Sequence, residues 1–365
     1  MDNAKHIGQR TPVLSFVILL IALAFLLVEP LVWNPYYNTF LFNTLILCFL
    51  FAYLSGAWNI LAGFTGQTSF GHAAFFGIGA YTVAMLWTVL GVSPWIGMII
   101  AATIAAFASL AVGLPSLRLK KSYFVMITLG FSEILRITFI QWHEFAGGAG
   151  GIAYHVIPYS LEAFQFNTDR TPYYYIMLAM LILSLLVVYK LRRSKWGYYF
   201  MAIREDEIAT AASGINVIKY KLISCALSAI LTALAGVFYV QFFLFIDPDT
   251  VFSLDVMTKI FLPTALGGLG TLMGPALGAF ILIPLGEIVR IYFSTTFGIQ
   301  GLHLVVYGIV LILVATVMPK GLVGTVFKRS KRRIGDILSR SAPVGIPQGG
   351  LRGLPRPMSS SQRGS

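Results

Sequence analysis

TFLFNTLILCFLFAYLSGAWNIL, residues 39–61, runs for 23 residues without an Asp, Glu, Lys or Arg. At about 1.5 Å of rise per residue, a helix of this length covers the roughly 30 Å hydrocarbon core of a bilayer. It is too long for a barrel strand, and lipid accepts only helices or closed barrels because every backbone polar group must be satisfied internally. The fold class that follows is all-α, a polytopic helical membrane protein. Working outward, similar stretches occur at 12–29, 70–90, 94–115, 123–142, 173–191, 221–243, 254–273, 275–294 and 300–318, which predicts about ten transmembrane spans. Those at 70–90, 254–273 and 275–294 are Gly-rich and closely spaced.

Composition carries the same message. Hydrophobic residues make up 57% of the 365 residues, charged residues 11%, and the mean hydropathy is +0.81. A soluble domain needs about 25% charged residues to hydrate its surface. Disorder, collagen and a disulfide scaffold are excluded by the apolar bias, the missing G-X-Y repeat and the two cysteines. Cys48 and Cys225 sit inside apolar runs, where a small buried residue is the expectation.

The net charge of +12 does not point to nucleic acid, because its distribution is that of a polytopic membrane protein. Lys and Arg crowd into 1–11, 116–122, 190–221 and the tail after 319. The alternate loops, 30–38, 91–93, 143–172 and 244–253, hold Arg170 alone against Glu144, Glu162, Asp169, Asp247 and Asp249. The expectation is a multi-pass membrane protein with both termini cytoplasmic. VLSFVILLIALAFLLVE, at 13–29, lacks an A-x-A site and reads as a retained first span rather than a signal peptide. Residues 1–325 read as the transmembrane domain, and 326–365 as a basic tail of disordered composition.

Catalytic signatures are missing. There is no G-x-x-x-x-G-K-[ST], H-E-x-x-H or G-x-S-x-G, and the five histidines lack metal-ligand spacing. The expectation is therefore no enzyme, no metal site and no cofactor on this chain. Two intramembrane charge pairs stand out, Glu133 with Arg136 and Glu287 with Arg290, each at i,i+3 on one helix face. They read first as self-neutralised pairs that hold helices together, with a direct role in gating or translocation as the alternative. Neither resembles a proton relay.

The longest basic segment contains MAIREDEIATAASGIN, residues 201–216. From Met201 to Ser213 it predicts a short helix, with acids near its start, Ala209 and Ala212 keeping it slim, and Gly214 as a C-terminal stop. Ile203, Glu207, Thr210 and Gly214 fall roughly on one stripe. Such a helix, flanked by basic chain, suits docking into a groove on another protein, with Glu207 on the contact face. A solvated loop helix is the plain alternative.

Arg204, Glu205, Asp206, Glu207, Ala209, Ala212 and Gly214, read as R-E-D-E-x-A-x-x-A-x-G-I-N, resemble the ATPase-coupling segment of ABC importer permeases. More narrowly, the chain is similar to the M-type (LivM) permeases of branched-chain amino acid ABC importers. The stretches that carry this are LSGAWNILAGFTGQTSFGHAAFFGIGAYT (54–82), LPSLRLKKSYFVMITLGFSEILRI (114–137) and GGAGGI (147–152), followed by 201–216, ALGGLGTLMGPALGAFILI (265–283) and MPKGLVG (318–324). Thr68 and Phe70 depart from the more aliphatic G-Q-x-S-L-G-H of the family. The resemblance implies an ABC importer permease bundle that moves branched-chain amino acids together with a second homologous permease. It also implies two cytoplasmic ATPase subunits, which would bind ATP and Mg, and an extracytoplasmic substrate-binding protein.

Polar residues crowd into GFTGQTSFGH, residues 63–72, and Gln67, Ser69 and His72 are costly at membrane depth unless partnered. They read as candidate pathway or gate residues, whereas close packing accounts for most of the glycines around them. The leading reading is the importer permease. Its alternatives are a related permease for urea, amides or another small solute, and a membrane enzyme or scaffold.

Overall fold

The computed structural model describes residues 39–119, 121–154, 160–166, 170–297, 301–317 and 321–322. The expected first span, 12–29, and the tail, 326–365, lie outside the described residues. Among the described residues, eleven helices of six or more residues carry the fold: α1 Thr39–Asn59, α2 His72–Leu90, α3 Pro94–Ser116, α4 Lys121–Gln141, α5 Thr171–Arg193, α6 Lys195–Glu205, α7 Glu207–Ala212, α8 Val217–Phe243, α9 Leu254–Gly267, α10 Gly274–Phe297 and α11 Leu302–Val317. A two-residue ribbon, β1 Ile152–Ala153 against β2 Phe245–Ile246, is antiparallel.

Seven helices among the described residues are long and apolar enough to cross a membrane: α1 with its continuation to Phe64, α2, α3, α4, α5, α8 and α10. The spans expected at 254–273 and 300–318 shorten to α9, with 14 residues, and α11, with 16. Ten full-length spans are thus not what the described residues contain. Helix α9 reaches only about 21 Å at 1.5 Å per residue, because it starts where expected, at a Ser253 cap, but stops early where Gly268 takes φ +124°. Its short ends are tolerated because it lies inside the bundle rather than against lipid. Ser55 on α1 donates to the carbonyl of Ile260, and Thr264 donates back to the carbonyl of Ser55, at 2.8 and 3.0 Å.

Helix α1 is the axis. Of its most apolar window 89% is buried within the chain, against 17% for α4 at the periphery. It is surrounded by α5, α8, α9 and α10, while α8 also lies along α2 and α3. The α2–α8 crossing is set by glycine. A Cβ on Gly79 would run into the carbonyl of Ala233, and one on Gly236 into the carbonyl of Phe76. Each helix therefore presses bare backbone against the other, the close approach that small residues permit in lipid.

The connections gather at two ends. At one, which collects the basic loops, residues 61–71, 194–216 and 268–273 touch. At the other, the acidic loops meet: Ser93 and Trp95 donate to the carbonyls of Glu162 and Leu161, and β1 pairs with β2. Gly236→Val should overpack the α2–α8 crossing by about 1–3 kcal/mol or more and lower the melting temperature in detergent. Gly56→Ala, with nothing within 4 Å of its Cβ position, should leave it unchanged or higher.

Candidate functional site

Helix α1 does not end cleanly. Ile60–Phe64 widen into a π-turn, a feature that recurs at functional sites. The carbonyl of Leu61 then accepts from the backbone N–H of Thr65 and Gln67 and from the Thr65 hydroxyl. Gly66, at φ +70°, turns the chain away, and it stays irregular until α2 begins at His72. Side chains carry the polar load here. Trp58 Nε1 donates to the carbonyl of Ser69 at 2.8 Å, the N–H of Phe70 donates to Thr128 Oγ1, and Ser69 Oγ accepts from Gly71. His72 Nε2 lies 2.6 Å from Ser228 Oγ, which itself donates to the carbonyl of Ala57 at 2.6 Å. A hydroxyl has one proton, so His72 donates through Nε2. Its Nδ1 is buried without a partner among the described residues. Ser69 and His72 thus pin α1, α2 and α8 together.

The 201–216 segment differs from the single helix expected over Met201–Ser213. It breaks at Asp206, whose extended backbone separates α6 from α7 and whose carboxylate accepts from the N–H groups of Ile208 and Ala209 at 2.9 and 3.0 Å. Aspartate is among the strongest N-caps, so this break had a legible signal in the sequence. Gly214 behaves as expected, with φ +83°. The N–H groups of Gly214 and Ile215 return to the carbonyls of Ala211 and Thr210, closing a Schellman motif.

The stripe also faces the other way. Ile203 and Thr210 are buried, and Glu207 turns toward the bundle rather than outward to a partner. Its Oε1 lies 2.7 Å from Lys221 Nζ and accepts from Gln67 Nε2 at 3.0 Å. Lys221 is the cause: its side chain is 4% exposed, and an ammonium that deep needs an anion. Gln67 and Glu207, from separate sequence motifs, are therefore directly bonded. Arg204 makes a second tie. Its Nη1 donates at 2.6 Å to the carbonyl of Gly63 at the end of the π-turn, where a cation suits the helix dipole. A Cβ on Gly270 would strike the same guanidinium, and Asn59 bridges Gly270 N and the Thr271 carbonyl at 2.8 Å each.

What remains outward is Glu205, Ala209, Ala212, Gly214 and, above all, Ile208, which is 83% exposed. Lys221 and Ile208 were missed by sequence reading. Lys221 looked like one more loop cation, and Ile208 like one apolar residue in a helix.

Both intramembrane pairs form. Arg136 reaches Glu133 at 2.6 Å and is joined by Asp249, a third member from the loop before α9. Arg290 reaches Glu287 at 2.6 Å. Lys259, on α9, pairs with Asp255 at 2.7 Å. Among the described residues there is no group of three or more His, Cys, Asp or Glu placed to hold a metal ion.

Residues 40–315 match the protein family described as branched-chain amino acid transport system / permease component. The high-affinity branched-chain amino acid transport system permease protein LivM of Escherichia coli K12 is 31% identical over 254 residues, 64% of this chain and 59% of that protein. The probable branched-chain amino acid transport permease protein LivM of Methanocaldococcus jannaschii is 25% identical, covering 68% of this chain and 77% of that one. The high-affinity permease protein LivH of Salmonella typhimurium is 26% identical, covering 79% and 96%. The chain thus aligns with about 59% of the length of the bacterial LivM proteins it matches.

The Glu207–Lys221 pair is asymmetric, since Lys221 is sealed and the Glu207 side chain is 34% exposed. Glu207→Gln strands a buried ammonium, a loss that reaches about 3–5 kcal/mol for a fully buried pair and less here. Lys221→Met leaves a carboxylate that water can reach. Thermal unfolding in detergent should therefore rank Glu207→Gln below Lys221→Met, with the double variant above Glu207→Gln alone. Equal melting temperatures for all three would show that the pair holds nothing.

Proposed function

The chain belongs to the branched-chain amino acid transport system permease family, and we propose that it is a permease subunit of an ATP-driven ABC importer that forms, with a second permease, the membrane pathway for branched-chain amino acids. The second permease is a homologue of this chain, a reading supported by its similarity to both LivM and LivH proteins. Two cytoplasmic ATPase subunits bind ATP and Mg, and an extracytoplasmic protein delivers the substrate. This chain is not itself an enzyme. It sits in a bacterial inner membrane with the 201–216 segment on the cytoplasmic side, a sidedness supported by the Lys and Arg bias.

The observation that carries the mechanism is the double tie of the coupling segment to the unwound end of α1, Glu207 to Gln67 and Arg204 to Gly63. Helix α7, stopped at both ends by its own caps, is a short rigid lever. Its outward face, with Ile208 at the centre, enters a groove on an ATPase subunit. Its inward face grips residues 63–67. When ATP closes the ATPase pair, the lever moves α1 at its irregular end, the part that can yield without breaking a long helical ladder. Because α1 is the axis of the bundle, that displacement reaches the pathway.

Transport of radiolabelled leucine by the reconstituted assembly tests this directly. Ile208→Asp should abolish co-purification with the ATPase subunits and uptake together. Gly214→Val should keep the chain in the membrane but stop uptake. At φ +83° a β-branched residue is strained although the space around it is open, so Gly214→Asn should retain most activity. Normal uptake by both Ile208→Asp and Gly214→Val would reduce the segment to a solvated loop. Cysteine labels within 201–216 should react from the cytoplasmic side alone and labels at 148–153 from the opposite side; a shared side refutes the topology.

A further inference from the structure

The two i,i+3 pairs look alike in sequence and differ in structure. Around Arg136 the network is closed: both oxygens of Glu133 accept from the guanidinium, and Asp249 takes another of its N–H groups. Around Glu287 it is open. Oε2 alone accepts from Arg290, through Nε at 3.0 Å and Nη2 at 2.6 Å. Oε1 of Glu287 accepts nothing from the described residues, and Nη1 of Arg290 donates to nothing among them. The Glu287 side chain is nonetheless only 13% exposed.

This half-used pair lies on a cleft of about 590 Å³ at the acidic end, between the starts of α1, α5 and α9, the end of α8 and the middle of α10. The volume is in the range of small-molecule sites. Its charged lining is Arg170, Lys259 and Arg290 against Asp255 and Glu287, three cations and two carboxylates. Arg170 is held by Asn43 Oδ1 at 2.6 Å and lies 5.9 Å over the Phe242 ring, and Lys259 is bound to Asp255. Apolar walls face these charges: Phe40, Leu47, Phe51 and Phe243. A simple anion would meet the carboxylates and a simple cation the excess of basic groups. A molecule that carries both charges on adjacent atoms, with an aliphatic remainder, satisfies all three surfaces.

We propose that this cleft binds an aliphatic α-amino acid as its zwitterion, the ammonium on Glu287 Oε1, the carboxylate on Arg290 Nη1, and the side chain against Leu47 and Phe51. The head group then lies antiparallel to the Glu287–Arg290 pair, each charge beside its opposite. Glu287 and Arg290 are binding groups in this assignment, and Glu133, Arg136 and Asp249 a structural clasp. The proposal deepens the transport reading, on which the choice of amino acid rests, by placing substrate inside this subunit.

The test uses the assembled transporter in proteoliposomes, with Cys48→Ala and Cys225→Ala removing the native thiols and Leu47→Cys placing one on the cleft wall. Modification by a small cationic methanethiosulfonate, added from the side of the acidic loops, is timed with and without L-leucine. Leucine should slow it several-fold, while 3-methylbutylamine and 4-methylpentanoate, each with one of the two charges, should not at the same concentration. Adding Glu287→Gln should raise the half-protecting leucine concentration roughly tenfold to a hundredfold, the loss of one charge-assisted bond; Glu133→Gln should not. Unchanged modification in leucine, or equal protection by the single-charge analogues, overturns the proposal without relying on any Glu287 variant. So does a thiol that reacts in the isolated chain but never in the assembly, which would make the cleft a subunit contact. Leucine uptake is measured in parallel. Uptake without protection defeats the cleft and leaves the transport reading intact, and protection without ATP-driven uptake does the reverse.

Discussion

Lys221 sets a full positive charge where water scarcely reaches, at the start of α8 and beneath the loop that joins α5 to α8. Removing an ammonium from water costs several kcal/mol unless an anion and further hydrogen bonds replace the lost hydration. Glu207 is the anion, and it can arrive only if α7 folds down onto the bundle. That requirement orders much else. It turns the Ile203–Glu207–Thr210 stripe inward, calls for a break at Asp206 so that the chain can change direction, and leaves Ile208 standing out on the opposite face. It also brings Glu207 within reach of Gln67, so one buried cation ties together two loops that lie 140 residues apart in sequence.

Irregular backbone near lipid is expensive, and this chain keeps it where side chains can serve it. The break after α1 is held by Trp58, Thr65, Ser69 and Thr128, and the break after α9 by Asn59 and Thr271. Asn59 and Arg204 both stand between these breaks, bonding to one and touching the other. The two breaks in the helical ladder are thereby fastened to each other and to the 201–216 segment. In the proposed mechanism a push on α6 and α7 would meet irregular backbone, whereas the long helices α2 and α8 are pressed together at Gly79 and Gly236.

The two i,i+3 charge pairs on the spanning helices differ in what they leave unused. A pair that uses both carboxylate oxygens and recruits a third partner, as around Arg136, already balances its charges among its own members. A pair that leaves one oxygen and one N–H edge idle beside a cavity, as Glu287 and Arg290 do, retains that capacity. Sequence spacing cannot separate these cases, because i,i+3 fixes only that the two partners meet.

Much of this protein was legible as sequence. Uncharged apolar runs of bilayer length specify membrane helices by themselves, since lipid offers the backbone no other partner, and seven of those runs appear as helices of spanning length. Gly214 was readable as a helix stop because only its left-handed backbone closes the cap, and the ordered stretches from 54 to 324 were enough for a family resemblance. Tertiary structure decided the rest. Whether α9 spans fully depends on where Gly268 turns and on what surrounds it, and whether Glu207 faces a partner or the bundle depends on a lysine 14 residues later. The joining of Gln67 to Glu207, and of Arg136 to Asp249, comes from helices packed side by side after folding. Such contacts are absent from the local periodicity of the chain, because charge and hydrogen-bond partners are chosen by proximity in space, and burial sets how strongly each must be satisfied.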